Sequence, residues 1–193
     1  MPATREDLMR KLDSLGIATT TTDHPAVFTV AESDALHADM PGGHTKNLFL
    51  KDAKGRLFLF VAEAHAQIDM KKLHKHIGSA RLSFGKPDLL LDKLGVEPGS
   101  VTAFSVLNDQ DHAVTLLVDQ ALMAHDIWNC HPLVNTATTA IAKEDLFAFF
   151  NATGHTPTLI DLTLPPRVAL YALFYSLWRS STGGAEPVET GRG

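Results

Sequence analysis

Apolar residues recur along this chain with two spacings, one typical of helices and the other of strands. Leu8, Leu12 and Leu15 lie three or four residues apart behind Thr4, a good capping residue, and predict a first helix that ends at Gly16. Similar spacings predict further helices at 70–77, 87–94 and 144–151. A capping-box pattern at 29–32 predicts a short helix that reaches about residue 37.

Strands are predicted where apolar or threonine-rich runs are short and bounded by turn residues. These runs are 18–22, 47–51, 56–61, 101–107, 114–119, 136–142 and 158–162. Asp52-Ala53-Lys54-Gly55 is a typical hairpin turn between two of them. Because hairpins dominate over crossovers, we expect a single α+β domain with a mixed, largely antiparallel sheet flanked by helices.

The last part of the chain has a different pattern. Pro165-Pro166 interrupts the regular elements, Val168–Trp178 is apolar nearly all round, and 180–193 is polar and contains glycine. We therefore expect a domain over residues 1–162, followed at 163–193 by an apolar segment and a disordered tail.

Bulk composition narrows the class of protein. The chain has 193 residues, of which 45% are hydrophobic and 20% charged, as in a globular protein with a real core. Its formal net charge of −5 excludes a positive potential over the whole surface. Binding of nucleic acid would therefore need a local patch of basic residues. The single cysteine excludes an internal disulfide, and the charged start lacks the apolar run of a signal peptide. We expect a soluble cytoplasmic protein without membrane contact.

One glycine-containing loop is a candidate functional site. Gly42 and Gly43 follow Pro41 and precede His44-Thr45-Lys46-Asn47 at the start of a predicted strand. Exposed amides of Gly42, Gly43 and His44 would suit an oxyanion, and Lys46 would suit a phosphate or carboxylate. On spacing alone, a solvated strand-end lysine is the favoured interpretation.

A second polar stretch surrounds His131-Pro132. His131 is either an ordered turn residue or a ligand contact, and Asn135 either binds ligand or only satisfies the turn backbone. The sequence shows no basic environment that would activate Cys130, so this residue fits a packed thiol better than a nucleophile. The ten histidines are scattered, and His74 and His76 do not share a helix face, so no metal site is predicted.

Basic residues cluster in two places outside these stretches. One group lies around the hairpin and the other between residues 71 and 86: Lys51, Lys54, Arg56, Lys71, Lys72, Lys75, Arg81 and Lys86. Such a cluster is either a solvated face or a footprint for a phosphate backbone.

Four motifs in order carry a family resemblance. They are the segment from Pro41 to Leu50, Leu82-Ser83-Phe84-Gly85, the segment from Leu94 to Thr102, and the segment from His131 to Thr139. Together they resemble the YbaK/prolyl-tRNA synthetase editing-domain family, and within it the free-standing alanyl-tRNA(Pro) deacylases of the ProXp-ala or PrdX type. The resemblance covers about residues 4–162 and leaves 163–193 unmatched.

The resemblance implies a trans-editing hydrolase that releases alanine from mischarged tRNA(Pro), in a single editing domain without metal or organic cofactor. It implies attack by water, assisted by the 2′-hydroxyl of the terminal adenosine rather than by a protein nucleophile. Lys46, Asn47 and His131 correspond to the family's functional positions. We add as substrate-binding candidates Gly42, Gly43, His44, Thr45 and Asn135.

The expected function also predicts binding partners, and two alternative functions are considered. Mischarged tRNA(Pro) is the expected substrate, with Lys51 and Arg81 as acceptor-stem contacts, and prolyl-tRNA synthetase or the elongation machinery are candidate partners. The oligomeric state is left open. Two alternatives remain: editing of cysteine or serine on tRNA, and a non-catalytic nucleic-acid-binding module that uses the basic residues between 51 and 86.

Overall fold

The computed structural model describes residues 1–26 and 40–165. The predicted helix at 29–37, the apolar segment Val168–Trp178 and the tail 180–193 lie outside these residues, so the boundary at residue 162 stays a prediction. Four α-helices are described: α1 Arg5–Ser14, α2 Met70–His76, α3 Pro87–Leu94 and α4 Lys143–Ala152. Two 3₁₀ helices cover Ala103–Asn108 and Gln120–Ala124.

Eight strands form one mixed sheet within the described residues. The strands are β1 Thr19–Asp23, β2 Gly43–Asp52, β3 Leu57–Glu63, β4 Leu82–Phe84, β5 Val114–Asp119, β6 Ile127–Cys130, β7 Ala137–Ala142 and β8 Thr158–Ile160. Their order is β1-β7-β6-β2-β3-β5-β8, and β4 pairs with the end of β2. The pairs β2/β6, β3/β5 and β5/β8 are parallel and the others antiparallel. The predicted α+β class with a mixed sheet is confirmed.

The strand predicted at 101–107 is wrong, because this segment forms the first 3₁₀ helix. The Thr102 side chain accepts a hydrogen bond from the Phe104 amide, and the Ser105 hydroxyl donates to the Thr102 carbonyl at 2.6 Å. The four residues 103–106 are all buried. A segment buried on every side has no polar alternation, so its apolar run could not distinguish a strand from a tight helix.

Two hydrophobic cores lie on opposite faces of the sheet. The main core packs α1, α3 and α4 on one face, where Phe49 of β2 and Val61 of β3 point. The smaller core lies under α2 on the other face and contains Leu50, Phe60 and Leu73. Side chains therefore alternate between two buried faces along β2, and this alternation places the site residues described below.

The β2–β3 turn is fixed by a buried carboxylate. Asp52 is 3% exposed and accepts hydrogen bonds from the amides of Lys54, Arg56 and Ala80 and from the Arg56 side chain. Burial disfavours the charged form, but these hydrogen bonds outweigh it and hold the pKa of Asp52 below its usual value. The predicted hairpin turn is confirmed, and Asp52 links it to the segment before β4.

A second buried carboxylate joins α4 to β5. Asp109 accepts from His155 Nε2 at 3.1 Å and from the amides of Ala113 and Val114 at 2.9 and 2.8 Å. The Asp109 and His155 side chains are 2% and 3% exposed. The His112 ring packs edge-on against His155, and a Cβ at Gly154 would meet the His112 ring at 2.5 Å. This cluster fixes where the chain leaves α4 toward β8.

Within residues 1–26 and 40–165, no helix combines the length and apolar character needed to cross a bilayer.

Candidate functional site

Two glycines at the start of β2, Gly42 and Gly43, allow a close approach to β6. Gly42 has φ of 107°, and a Cβ there would lie 2.5 Å from the Ile127 carbonyl oxygen. A Cβ at Gly43 would lie 2.7 Å from the His125 ring. Gly43 is buried and pairs with Trp128 in the sheet. The expectation of an exposed amide at Gly43 is therefore wrong, because packing requires this glycine; whether the segment binds substrate stays a prediction.

Lys46 and Asn47 project from opposite faces of β2. Lys46 lies opposite Ala62 of β3, on the face of the smaller core, whereas Asn47 lies opposite Val61, on the face of the main core. Asn47 Oδ1 is buried and has no hydrogen-bond partner among the described residues. The two neighbours in sequence therefore cannot act on one group from the same side, and a catalytic role for Asn47 stays a prediction.

Lys46 is half-buried and anchored at its tip. Its Nζ donates to the Ala66 carbonyl in the loop after β3. Burial lowers the pKa of Lys46 below its usual value, while the carboxylates of Glu63 and Asp119 oppose this shift and favour the cation. A lysine ammonium has three donors, so two remain for an anionic ligand after the bond to Ala66. The solvated strand-end interpretation does not describe this lysine.

The neighbouring strand β6 contributes Asn129 to the same face as Lys46. Asn129 pairs with His44 in the parallel β2/β6 register, and its Nδ2 donates to the Pro41 carbonyl at 3.0 Å. Its Oδ1 is buried without a partner among the described residues. Such an orphaned acceptor is costly, so it marks a position where a ligand donor would be favourable.

His131 lies directly after β6. Lys46 and His131 each follow the paired residues His44 and Asn129 by two positions, which brings both to the same end of the β2/β6 pair. Burial lowers the pKa of His131, the nearby His24 lowers it further, and a hydrogen bond to the Gly99 backbone opposes both. The His24 and His131 ring centroids are 6.3 Å apart. His131 is therefore held as a neutral imidazole near pH 7.

A cavity of about 580 Å³, lined in part by Asn129, opens on the sheet face that carries Lys46. Its lining comes from β1 and the residue before it, β6, β7, the first turn of α4 and the segment before β2: Ala18, Thr19, Thr20, Thr22, Met40, Pro41, Ile127, Asn129, Ala140, Ala142 and Asp145. Volumes of about 300–1,000 Å³ with an apolar lining and few polar groups are typical of small-molecule sites. We call the sheet face that carries Lys46, His44, Asn129 and this cavity the cavity face.

The remaining predicted residues lie in three places. Thr45 donates from Oγ1 to the Asn129 carbonyl at 2.9 Å, so it links β2 to β6 on the main-core side. Asn135 lies in the turn after Leu133, a buried residue with φ of 66° that is unusual for a non-glycine. Lys51 pairs with Ser83, two residues from Arg81, at the far end of β2. The structure brings Lys51 and Arg81 to one corner, away from Lys46.

Several residues at the site were not found from sequence. Asn129, Glu63 and Asp119 lie near the predicted residues, and the carbonyls of Ala66 and Gly99 bind Lys46 and His131. Of these residues, only Asn129 could have been identified from the sequence, because it is the polar residue between Trp128 and Cys130 in a buried strand. Backbone carbonyls carry no sequence signature.

Cys130 is a packed thiol, as expected. It is 1% exposed, and burial raises its pKa to about 12, with an opposing hydrogen bond from Thr45. The thiolate is the reactive form of cysteine, so this side chain is unreactive near neutral pH.

We expect Cys130→Ala to retain the kcat of the wild-type protein, since no thiolate is available for catalysis. Iodoacetamide should leave the folded protein unmodified at pH 7.5 and should alkylate it in urea, as measured by mass spectrometry. A loss of activity on alkylation of the folded protein would contradict this assignment.

The lowered pKa of His131 gives a pH prediction. Protonation of the ring adds a buried charge, so activity should be constant near pH 7 and fall on acidification with a midpoint below the ordinary histidine value of about 6.5. Rates between pH 5 and 8, corrected for buffer hydrolysis, measure this midpoint. In His24→Gln the midpoint should rise, because the neighbour that lowers the pKa is gone. A wild-type midpoint above 6.5 would refute the assignment.

Comparison with known proteins adds independent findings. The family model described as "Aminoacyl-tRNA editing domain" matches residues 24–149. A Danio rerio protein named "Prolyl-tRNA synthetase associated domain-containing protein 1" is 37% identical over 159 residues, which cover 81% of this chain and 86% of the relative. The Acetoanaerobium sticklandii "Prolyl-tRNA editing protein ProX" is 37% identical over 82% of this chain and 97% of its own.

A solved structure supports the fold. A crystal structure described as a candidate trans-editing enzyme for prolyl-tRNA synthetase superposes with a TM-score of 0.62 and 17% identity. The match covers 83% of this chain and 98% of the other. At this identity the likeness concerns the fold alone.

Proposed function

Because the chain belongs to the aminoacyl-tRNA editing domain family, we propose that it deacylates mischarged Ala-tRNA(Pro) in trans. Membership of this family makes the chain an aminoacyl-tRNA deacylase, an ester hydrolase, and confirms the family predicted from its four motifs. The choice of alanine and of tRNA(Pro) is our proposal. The observation that carries it is the cavity face, where Asn129 lines a cavity with a mostly apolar lining and Lys46 projects from the same face of the sheet.

The proposed reaction needs positioning more than it needs a strong nucleophile. An aminoacyl ester is already activated, so orientation of a water and stabilisation of the developing oxyanion supply much of the barrier reduction. Lys46 binds the phosphate of the terminal adenosine through the donors that Ala66 leaves free. The 2′-hydroxyl of that adenosine assists the water, and neutral His131 orients the carbonyl or the water.

The dimensions of the cavity support an aminoacyl nucleoside as the ligand. A volume of about 580 Å³ exceeds what an alanyl group alone would fill, and it leaves room for the adenosine. Asn129 Oδ1, buried without a partner, would accept a hydrogen bond from the substrate's ammonium group or a ribose hydroxyl. Prolyl-tRNA synthetase as a partner and the cytoplasm as location remain part of the proposal, supported by the substrate's chemistry.

The experiment that tests the function compares four substrates. We expect catalytic amounts of protein to release alanine from Ala-tRNA(Pro) at least about tenfold faster than serine, cysteine or proline from the same tRNA, since one small group in a pocket is worth roughly 1–3 kcal/mol. Faster release of serine or cysteine would transfer the assignment to that amino acid. Tight, salt-sensitive tRNA binding without release of any amino acid would favour the non-catalytic binding module.

A further inference from the structure

Asp119 is a buried carboxylate, 3% exposed, at the end of β5. The parallel β3/β5 register, continued by one residue, places Asp119 beside Ala62, and Ala62 pairs with Lys46. Ala62 belongs to the smaller core, as does Leu117, which lies two residues before Asp119 on the same strand. Asp119, Ala62 and Lys46 therefore form a row on one face of the sheet. The middle residue contributes only a methyl group, so little separates the carboxylate from the lysine.

The Asp119 carboxylate is held by two backbone amides. Its Oδ2 accepts from the Glu63 amide at 3.3 Å, and its Oδ1 accepts from the Ala121 amide at 3.0 Å. These bonds fix the carboxylate, but a buried negative charge also needs a positive charge nearby. The half-buried Lys46 ammonium in the same row provides one, and the attraction raises the pKa of Lys46 against the effect of burial.

The Glu63 amide begins the turn that anchors Lys46. The Ala66 amide donates to the Glu63 carbonyl at 3.0 Å, and the His65 amide donates to the Glu63 carboxylate at 2.8 Å. The Ala66 carbonyl in turn accepts from Lys46 Nζ. An unbroken series of hydrogen bonds thus connects Asp119 to the tip of Lys46, and the Glu63 carboxylate closes the same turn.

This connection solves a problem that a lysine poses as a phosphate ligand. Its ammonium is a point charge on a long flexible stem, so ordering the stem at the moment of binding costs entropy. The turn holds the tip of Lys46 in advance and leaves two of its three donors for a ligand. Asp119 and Glu63 also favour the charged form of Lys46, the form that binds an anion.

We propose that Asp119 and Glu63 are positioning residues for Lys46: they fix the turn that binds its tip and supply the negative charge that balances the half-buried ammonium. This inference rests on the proposed function, in which Lys46 binds the phosphate of the terminal adenosine. Both residues then contribute to catalysis only through Lys46. A role in stability alone would have the same effect whether or not Lys46 is present.

A double-mutant cycle tests this dependence. We expect Asp119→Asn to lower kcat/KM for Ala-tRNA(Pro) about tenfold, since a misplacement of about 1 Å at a site can cost up to about 100-fold. In the Lys46→Met background the same exchange should cause no further loss. Asp109→Asn is the matched control, because Asp109 is also 3% exposed and bonded to two amides but lies outside the cavity face. It should retain the wild-type kcat/KM at 25 °C. Additive losses in the cycle would overturn the positioning role.

Competitive acetylation separates this inference from the proposed function. Acetic anhydride reacts with the neutral amine, and mass spectrometry of the digested protein gives the rate at Lys46 relative to exposed Lys54. Removing a nearby negative charge lowers the pKa of Lys46, so Asp119→Asn should raise this rate at least about threefold at pH 8, the effect of about half a pKa unit. Asp109→Asn should leave it unchanged. These results are expected even if wild type releases no alanine, an outcome that would overturn the proposed function alone.

Glu63→Gln is the second variant, in case Asp119→Asn does not fold. Glu63 is half-buried, and glutamine retains an acceptor for the turn amide while it removes the charge. Among the described residues, the titratable side chains beside Lys46 are these two carboxylates and the imidazoles of His44 and His131, and only the carboxylates carry negative charge. Glu63→Gln should therefore also raise the acetylation rate of Lys46. An unchanged rate in either folded variant would overturn the positioning role.

Discussion

Lys46→Met should lower kcat/KM for Ala-tRNA(Pro) by at least about 100-fold, a loss comparable to removing one preorganised donor from an active site. Methionine keeps an unbranched apolar stem on the same face of β2 and removes the ammonium that donates to Ala66. The buried position strengthens the expected effect, because a charge-assisted hydrogen bond to phosphate is stronger where water is excluded. Deacylation under single-turnover conditions measures the chemical step directly.

Two further variants make the Lys46 result interpretable. Lys46→Arg keeps the charge but replaces a compact ammonium by a planar fork, so we expect only partial recovery. Lys11→Met removes a lysine from α1, which packs on the main-core face of the sheet, opposite Lys46, and should leave kcat/KM unchanged. A thermal unfolding midpoint within a few degrees of wild type would show that Lys46→Met folds. Activity within threefold of wild type in that folded variant would remove Lys46 from the mechanism.

His155→Leu should destabilise the protein by about 3 kcal/mol, because it deprives buried Asp109 of a side-chain partner. The amides of Ala113 and Val114 still bond to Asp109, which keeps the loss below that of a fully uncompensated charge. For a chain of this length, about 3 kcal/mol corresponds to a fall in melting temperature of roughly 6–12 °C. Urea unfolding with an unchanged m-value would measure the free energy of unfolding.

A double variant tests whether the Asp109–His155 interaction, and not a change in packing at position 155, causes this loss of stability. In Asp109→Asn/His155→Leu the charge is gone, so the combined loss should be smaller than the sum of the two single losses. Activity at 25 °C should be retained in His155→Leu, since the pair lies outside the cavity face. Additive losses would contradict a direct interaction between Asp109 and His155.

Local sequence signals were sufficient to predict many of the helices, strands and turns of the fold. Thr4 caps the first helix as predicted, in a capping box with Asp7, and Asp52-Ala53-Lys54-Gly55 forms the predicted turn. Non-local pairing was not predictable: β2 and β6 are parallel neighbours although His44 and Asn129 are 85 residues apart. The cavity face depends on that pairing, so its composition could not be derived from periodicity.

The candidate site was likewise predictable only in part. Lys46 and His131 were named through a family resemblance, and spacing alone left a solvated lysine and an ordered turn histidine as alternatives. The structure adds what orients them, the Ala66 and Gly99 backbones. It also separates Lys46 from Asn47 by face, which a strand assignment already implies.

The two faces of β2 restrict how this protein can change in evolution. Losing or gaining one residue between Gly43 and Asn47 would exchange the side chains at positions 46 and 47 between the cavity and the main core. Such a change would place an ammonium among apolar side chains and remove it from the substrate at the same time. Length variation should therefore be tolerated less within β2 than in exposed loops, and a single insertion within β2 should abolish both the fold and the activity.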